Sequence, residues 1–286
     1  MKSLRETIAQ LKPAVPTIAL VLTQGEQDKH ITLGTGINIH PYGFVVTALH
    51  VIEEQIHKFV DVSLQELVDG AGKGKLLTTA NGLATADLAA VFYSTGPGVI
   101  NRIALPIQHF VGNGQDDVCG LGLTIIEKDS VRIQFPTGSL GGSLELSQGD
   151  EIAALGYPFG EVLSGTETAR LSASAGIVGA IVPSDGAPPD EFRHLQMDML
   201  LNPGNSGGPV FLRSTGLVVG IVSSRFEPPD GSGPSGISFA VPEHCFRELM
   251  VEAAAQFNGE FTTGRFWNEF GPESRETAKT GLAKGH

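Results

Sequence analysis

The sequence predicts an all-β protein of the β-barrel class. Hydrophobic residues make up 41% of the chain and charged residues only 17%, with 37 Gly and 17 Pro. That is the composition of many short strands joined by turns, not of helices or of a disordered chain. At 286 residues the chain is long enough for one large β domain or two small ones, with a full core.

The elements follow in order. Leu4, Ile8 and Leu11 stand at helical spacing and give a short amphipathic helix ended by Pro13. Thr17 to Thr23 reads as a strand, and Ile31 to His40 as a second one interrupted by Gly34 and Gly36. The turn Pro41-Tyr42-Gly43 returns the chain into Phe44 to His50, a strand ending on a histidine. Asp69 to Lys75 imitates a phosphate loop but lacks its first Gly, and Leu76 replaces the Ser or Thr that would hold magnesium, so it reads as a surface hairpin loop. Ala86 to Phe92 is an apolar strand entered by an acid, Asp87.

Residues 109 to 142 read as an insertion, with a Gly/Asp-rich loop at 112 to 117 and strand-like pieces at Leu121 to Ile126 and Val131 to Phe135. Strands are then predicted at Glu151 to Leu155, Ser174 to Val182, His194 to Leu201, Pro209 to Arg213, Leu217 to Ser223 and Gly236 to Val241. Pro242 opens an amphipathic helix to Phe257, and 258 to 286 form a polar tail.

Several function classes are excluded by composition. With 19 Lys and Arg against 31 Asp and Glu, the formal net charge is -12, which repels a phosphate backbone, so nucleic acid is not an expected partner. Cys119 and Cys245 show no CxxC spacing and read as free packed thiols, without a zinc site or a disulfide framework; no metal or cofactor is expected. Ala14 to Leu22 is too short for a signal-peptide core, contains Pro16 and lacks a small-x-small cleavage site. No apolar run approaches the roughly 18 residues of a membrane span, so no membrane association and a cytoplasmic location are expected.

The chemistry concentrates in Asn202-Pro203-Gly204-Asn205-Ser206-Gly207-Gly208-Pro209. A serine hydroxyl is a poor nucleophile at neutral pH and needs a tight turn, an adjacent base and donors for a developing oxyanion. Glycines on both sides of Ser206 permit such a turn and let a carbonyl approach the N–H groups of Gly204 and Ser206. The stretch also satisfies the nucleophile-elbow pattern of α/β-hydrolases, with Asp230 and His244 following in that order. That fold needs a helix after the serine, whereas Pro209-Val210-Phe211-Leu212 is a strand. The order His, Asp, Ser on a double β-barrel is met by His50, Asp87 and Ser206.

Thr47-Ala48-Leu49-His50-Val51, Ala86-Asp87-Leu88-Ala89, Gly156 to Gly160, Ala175 to Val178, Asp198 to Pro209, Gly220-Ile221-Val222 and Ser238 to Pro242 follow one another as landmarks. In that order they resemble the trypsin-like serine peptidases of the HtrA/Deg type, over roughly residues 14 to 257. The resemblance implies two six-stranded antiparallel β-barrels with short terminal helices, the first at about 14 to 108 and the second at about 143 to 241, closed by a helix at 242 to 257. It implies Ser206 as nucleophile, His50 as base, Asp87 as the acid that orients it, and the N–H groups of Gly204 and Ser206 as the oxyanion site. Ser223, Ser224 and Arg225 would pair with an extended substrate, and Leu200, six positions before the nucleophile, would floor the pocket.

An apolar floor offers no partner for Lys or Arg, so cleavage after small or medium apolar residues is expected. Asn205 precludes the ion pair with a freed amino terminus on which zymogen activation depends. Proteins or peptides are the expected substrates, with a homo-oligomer or an activating partner as further expectations. The alternative reading is a peptide-binding scaffold on the same fold that does not cleave.

Overall fold

The computed structural model describes the chain except residues 1, 26, 80–81, 97–98, 129–130, 161–168, 184–191, 226–235 and 257–286. It opens with α1 (Leu4–Leu11), whose Ser3 and Glu6 form a capping box. There follow β1 (Thr17–Gln24), β2 (Gln27–Thr35), β3 (Ile37–His40), β4 (Phe44–Thr47), α2 (Leu49–Ile56), α3 (Leu64–Asp69) and β5 (Lys75–Thr79). The long strands β6 (Gly82–Gly96) and β7 (Val99–Asn113) lead to β8 (Val118–Leu123) and a small hairpin, β9 (Glu127–Lys128) with β10 (Val131–Arg132). The second half holds β11 (Glu151–Gly156), β12 (Ser172–Pro183), β13 (Phe192–Asp198), β14 (Pro209–Leu212), β15 (Val218–Arg225), β16 (Ile237–Pro242) and α4 (Glu243–Gln256).

β11 to β16 close into a six-stranded barrel in the order β11-β12-β13-β16-β15-β14. The first half is one curled sheet, ordered β2-β1-β6-β7-β8-β4-β3 with β5 added on β6. The two ends of that order, β2 and β3, are consecutive in the chain and separated only by Gly36, so covalent continuity completes the ring. The two-barrel expectation holds with this difference.

Strand alternation builds three cores from short apolar runs. In β4, Val45 points into the first barrel with Ile18 and Leu20, while Phe44 and Val46 face the second barrel. In β11, Ile152 and Ala154 fill the second barrel, and Ala153 and Leu155 meet the first. The shared layer also takes Tyr157, Phe211 and, from α4, Phe246 and Leu249. Each such Leu, Ile or Phe, fully buried, contributes roughly 1.5 to 3 kcal/mol. The barrels are therefore locked face to face, and the cleft between them inherits that rigidity.

Two expectations change here. The run ending at His50 is not all strand: β4 stops at Thr47, and Leu49, Ile52 and Ile56 turn one helical face of α2 into the core. The first part of the insertion expected at 109 to 142, up to Leu123, belongs to the sheet of the first barrel. β7 continues through Asn113, and β8 pairs with both β7 and β4, with Thr47 opposite Cys119. Without β8 the hydrogen-bonding edge of β4 would stay open.

Candidate active site

The turn carrying Ser206 is fixed before any substrate arrives. Asn205 N–H bonds the Asn202 carbonyl at 3.1 Å and Gly208 N–H bonds that of Asn205 at 2.9 Å. Gly204 (φ +95°) and Gly207 (φ +81°) take left-handed angles, and a Cβ on either would collide with the Tyr157 carbonyl or with Thr35 and Thr47. Val222 N–H and Gly208 carbonyl pair at 2.8 Å, which fastens the turn to β15.

Thr35, at the end of β2, clamps the same turn from the first barrel. Its N–H donates to the Ser206 carbonyl at 2.9 Å and its hydroxyl to the Gly204 carbonyl at 2.6 Å. The hydroxyl oxygen also accepts from Tyr157 N–H at 3.0 Å. Thr35 was not among the residues expected at the site; its one sequence signal is its place between Gly34 and Gly36, both packed too closely for a Cβ.

The Pro203 carbonyl is held by Phe159 N–H at 2.8 Å and the Asn205 carbonyl by Gly208 N–H. In a trans peptide N–H and C=O point opposite ways, so the N–H groups of Gly204 and Ser206 face away from these anchors. Both residues line one open cleft of about 770 Å³. Phe159 pays for its part with a left-handed φ of 56°.

His50 stands in the first turn of α2 and lines that cleft with Ser206. Its Nδ1 lies 2.8 Å from Oδ2 and 3.0 Å from Oδ1 of Asp117, and its backbone N–H donates to Oδ1 at 2.9 Å. Asp117 closes the turn between β7 and β8 with φ 51°, an angle that Asp tolerates better than most residues, and its carbonyl accepts from Leu49 N–H at 3.2 Å. The Ser223 hydroxyl donates to Asp117 Oδ2 at 2.6 Å. Burial alone would raise the Asp117 pKa, but hydrogen bonds from the His50 ring, the Ser223 hydroxyl and the His50 backbone outweigh it and lower it below the ordinary 3.8.

Asp87 is elsewhere. It sits in the middle of β6, opposite Val21 of β1, and accepts the Gly72 N–H at 3.0 Å, tying down the 70 to 74 turn. Burial raises its pKa against the pull of the Gly72 and Gly74 N–H groups. The acid beside His50 is thus Asp117 and not the expected Asp87: β8, not β6, is the neighbour of β4, and the turn before β8 is what reaches His50. The α/β-hydrolase partner His244 is likewise committed elsewhere, to Ser143 Oγ at 2.9 Å and the Phe192 carbonyl at 2.8 Å. Asp230 lies outside the described residues.

In this resting geometry Ser206 Oγ donates to the Ser223 carbonyl at 3.2 Å. Catalytic hydrogen bonds are often completed only when substrate binds. Ser223 and Ser224 line the cleft, and Arg225 follows them on the same strand, paired through its backbone with Ser238. Leu200 does not: it is 49% exposed, and Leu201, 3% exposed, forms the apolar wall with Val222 and Leu33. Ser238 Oγ donates to the Met199 carbonyl at 2.9 Å and sets this register.

A family model described as a trypsin-like peptidase domain matches residues 34–221. The chain belongs to the trypsin-like peptidase domain family. It is 28% identical over 261 residues to a probable periplasmic serine endoprotease, DegP-like, of Halomonas elongata, covering 89% of this chain and 42% of that protein. It is 27% identical over 197 residues to the serine protease Do-like HtrA of Bacillus subtilis, covering 66% of this chain and 40% of the relative. The chain thus spans less than half the length of these curated relatives. Among solved structures, the HtrA-type protease AlgW with tripeptide shares the fold, with a TM-score of 0.52 at 22% identity over 90% of this chain and 65% of that one.

The comparison overturns the expected cytoplasmic location. DegP-like relatives from Halomonas elongata, Ectopseudomonas mendocina and Brucella suis are each named a probable periplasmic serine endoprotease. No helix among the described residues is long and apolar enough to cross a membrane.

Proposed function

We propose that this family member is a serine endopeptidase of the HtrA type, cutting extended protein segments after small or medium apolar residues, with His50, Asp117 and Ser206 as its triad. The observation that carries the reading is that Ser206, Gly204 and a His50 already held by Asp117 line one cleft. The names of the DegP-like relatives add serine endoprotease activity and a periplasmic location to the proposal.

In this mechanism the substrate strand lies along Ser223 to Arg225 by backbone pairing. Its carbonyl enters between the Gly204 and Ser206 N–H groups, each worth roughly 3 kcal/mol to the tetrahedral oxyanion. Ser206 Oγ leaves the Ser223 carbonyl, passes its proton to His50 Nε2 and attacks the carbonyl carbon. Asp117 holds Nδ1–H, which fixes the tautomer, and stabilises the imidazolium. The imidazolium then protonates the leaving amine, the acyl-enzyme forms, and water completes the cycle by the reverse route. Leu201 and Val222 favour an apolar residue before the cut. Among the described residues the acids lining the cleft are Glu54 and Asp117, and Asp117 is committed to His50 and Ser223.

The Ser206 to Ser223 hydrogen bond also suits a peptide-binding scaffold that does not cleave. Fluorophosphonate labelling followed by intact mass separates the two. The protease reading requires one adduct on the wild type, lost in Ser206→Ala and His50→Ala, together with cleavage of unstructured protein. A folded wild type that takes no adduct and cuts nothing, with or without peptide present, would leave the scaffold.

A further inference from the structure

Asp116, the neighbour of the proposed triad acid, is fully buried. Its Oδ2 accepts from Arg193 Nη1 at 2.6 Å and from Asn113 Nδ2 at 2.7 Å. Oδ1 is buried with no donor among the described residues, so these two contacts supply the compensation for a carboxylate removed from water. Arg193 belongs to β13 of the second barrel, whereas the turn belongs to the first. Asn113 Oδ1 in turn accepts Gln115 N–H at 2.9 Å and shapes the same turn.

We propose that Arg193 is a positioning residue for the active site, acting through Asp116 to hold Asp117 against His50. This rests on the triad reading above. The turn from β7 to β8 carries its two acids in opposite directions: Asp117 reaches His50 and Ser223, and Asp116 reaches Arg193. Both acids are thus anchored on the second barrel, one through β15 and the other through β13. The left-handed angle of Asp117 is one that a released turn would relax, and relaxation would carry the carboxylate off Nδ1. Because Arg193 meets no reacting atom, its loss should act on the chemical step and leave substrate binding nearly intact. Its dependence on Asp116 makes the effect conditional.

The test compares wild type, Arg193→Met, Asp116→Asn and the double variant, each shown to be folded at the assay temperature. The readouts are kcat and KM on a peptide substrate and the downfield proton resonance of the His50 Nδ1–H bond. Arg193→Met is expected to lower kcat on the order of 10-fold to 100-fold with KM little changed, and to weaken or broaden that resonance. In the Asp116→Asn background the same substitution should have less effect than in the wild type, because the carboxylate charge through which Arg193 acts on the turn is already removed. Asp116→Asn alone keeps the packing and serves if Arg193→Met fails to fold; it should lower kcat as well. Wild-type kcat and an unchanged resonance in either folded single variant would overturn the proposal, as would losses that multiply independently. A wild type without Ser206-dependent activity would instead sink the triad reading itself.

Discussion

His50 Nδ1 lies 2.8 Å from Asp117 Oδ2, across a gap of 67 positions in the chain. The contact lowers the Asp117 pKa in spite of burial, and Ser223 contributes to the lowering. A carboxylate depressed in the folded state stabilises the fold fully above its unfolded value, near 3.8, and that contribution is lost as pH falls through the folded value. In urea titrations from pH 5 downward, part of the wild-type stability should therefore fade below about pH 3.8, and Asp117→Asn should lack that part. Ser223→Ala should shift the Asp117 carboxyl midpoint upward by NMR; a midpoint unchanged or lower would contradict the geometry.

A second pH effect comes from His40, at the end of β3, where Tyr42 N–H donates to its Nδ1 at 3.2 Å. Burial pulls its pKa from 6.5 down to about 4. The folded state keeps the ring neutral while the unfolded chain takes up a proton, so stability is full above pH 6.5 and declines as pH falls toward 4. The loss amounts to about 3 kcal/mol over that range. His40→Asn should flatten the slope of unfolding free energy between those limits, and an unchanged slope would count against it.

Thr35→Val keeps the shape of the side chain and removes one hydroxyl. It leaves the Tyr157 N–H without its acceptor and frees the Gly204 carbonyl. Expected are a stability loss of about 1 to 3 kcal/mol and a fall in kcat of up to about 100-fold, the scale of losing an oxyanion donor outright. Steady-state kinetics at matched folded fraction would check this. A variant as active as wild type would show that the oxyanion turn does not depend on the first barrel.

The pocket wall gives a paired prediction. Leu201→Ala opens apolar space and should raise kcat/KM for a large residue before the cut, relative to Val, by roughly 10-fold or more. Leu200→Ala should leave that ratio unchanged, since its side chain is half in solvent. Cleavage profiling of a peptide library reads both.

Much of the site was legible because local constraints mark it. Ser206 stands among glycines whose φ or packing admits no Cβ, and His50 follows an apolar strand. The acid was not legible in the same way. Asp87-Leu88-Ala89 and Asp117-Val118-Cys119 are both an acid followed by apolar residues, and the choice depends on which strand lies beside β4. That pairing, Thr47 with Cys119, spans 72 positions and is set by barrel closure, not by anything near either residue. The fully buried run Val118–Leu123 was the available clue, and reading 109 to 142 as an insertion hid it. Leu200 and Leu201 differ only in which one faces inward, and β13 has already ended at Asp198, so strand alternation could not decide between them.

The most direct test of the central claim compares Asp117→Asn with Asp87→Asn in fluorophosphonate labelling of Ser206, both variants shown to be folded. If Asp117 orients His50, Asp117→Asn should slow labelling by up to about 10⁴-fold, whereas Asp87→Asn should label within a few-fold of wild type. Wild-type labelling by Asp117→Asn together with a silent Asp87→Asn would contradict the assignment and return the acid to β6.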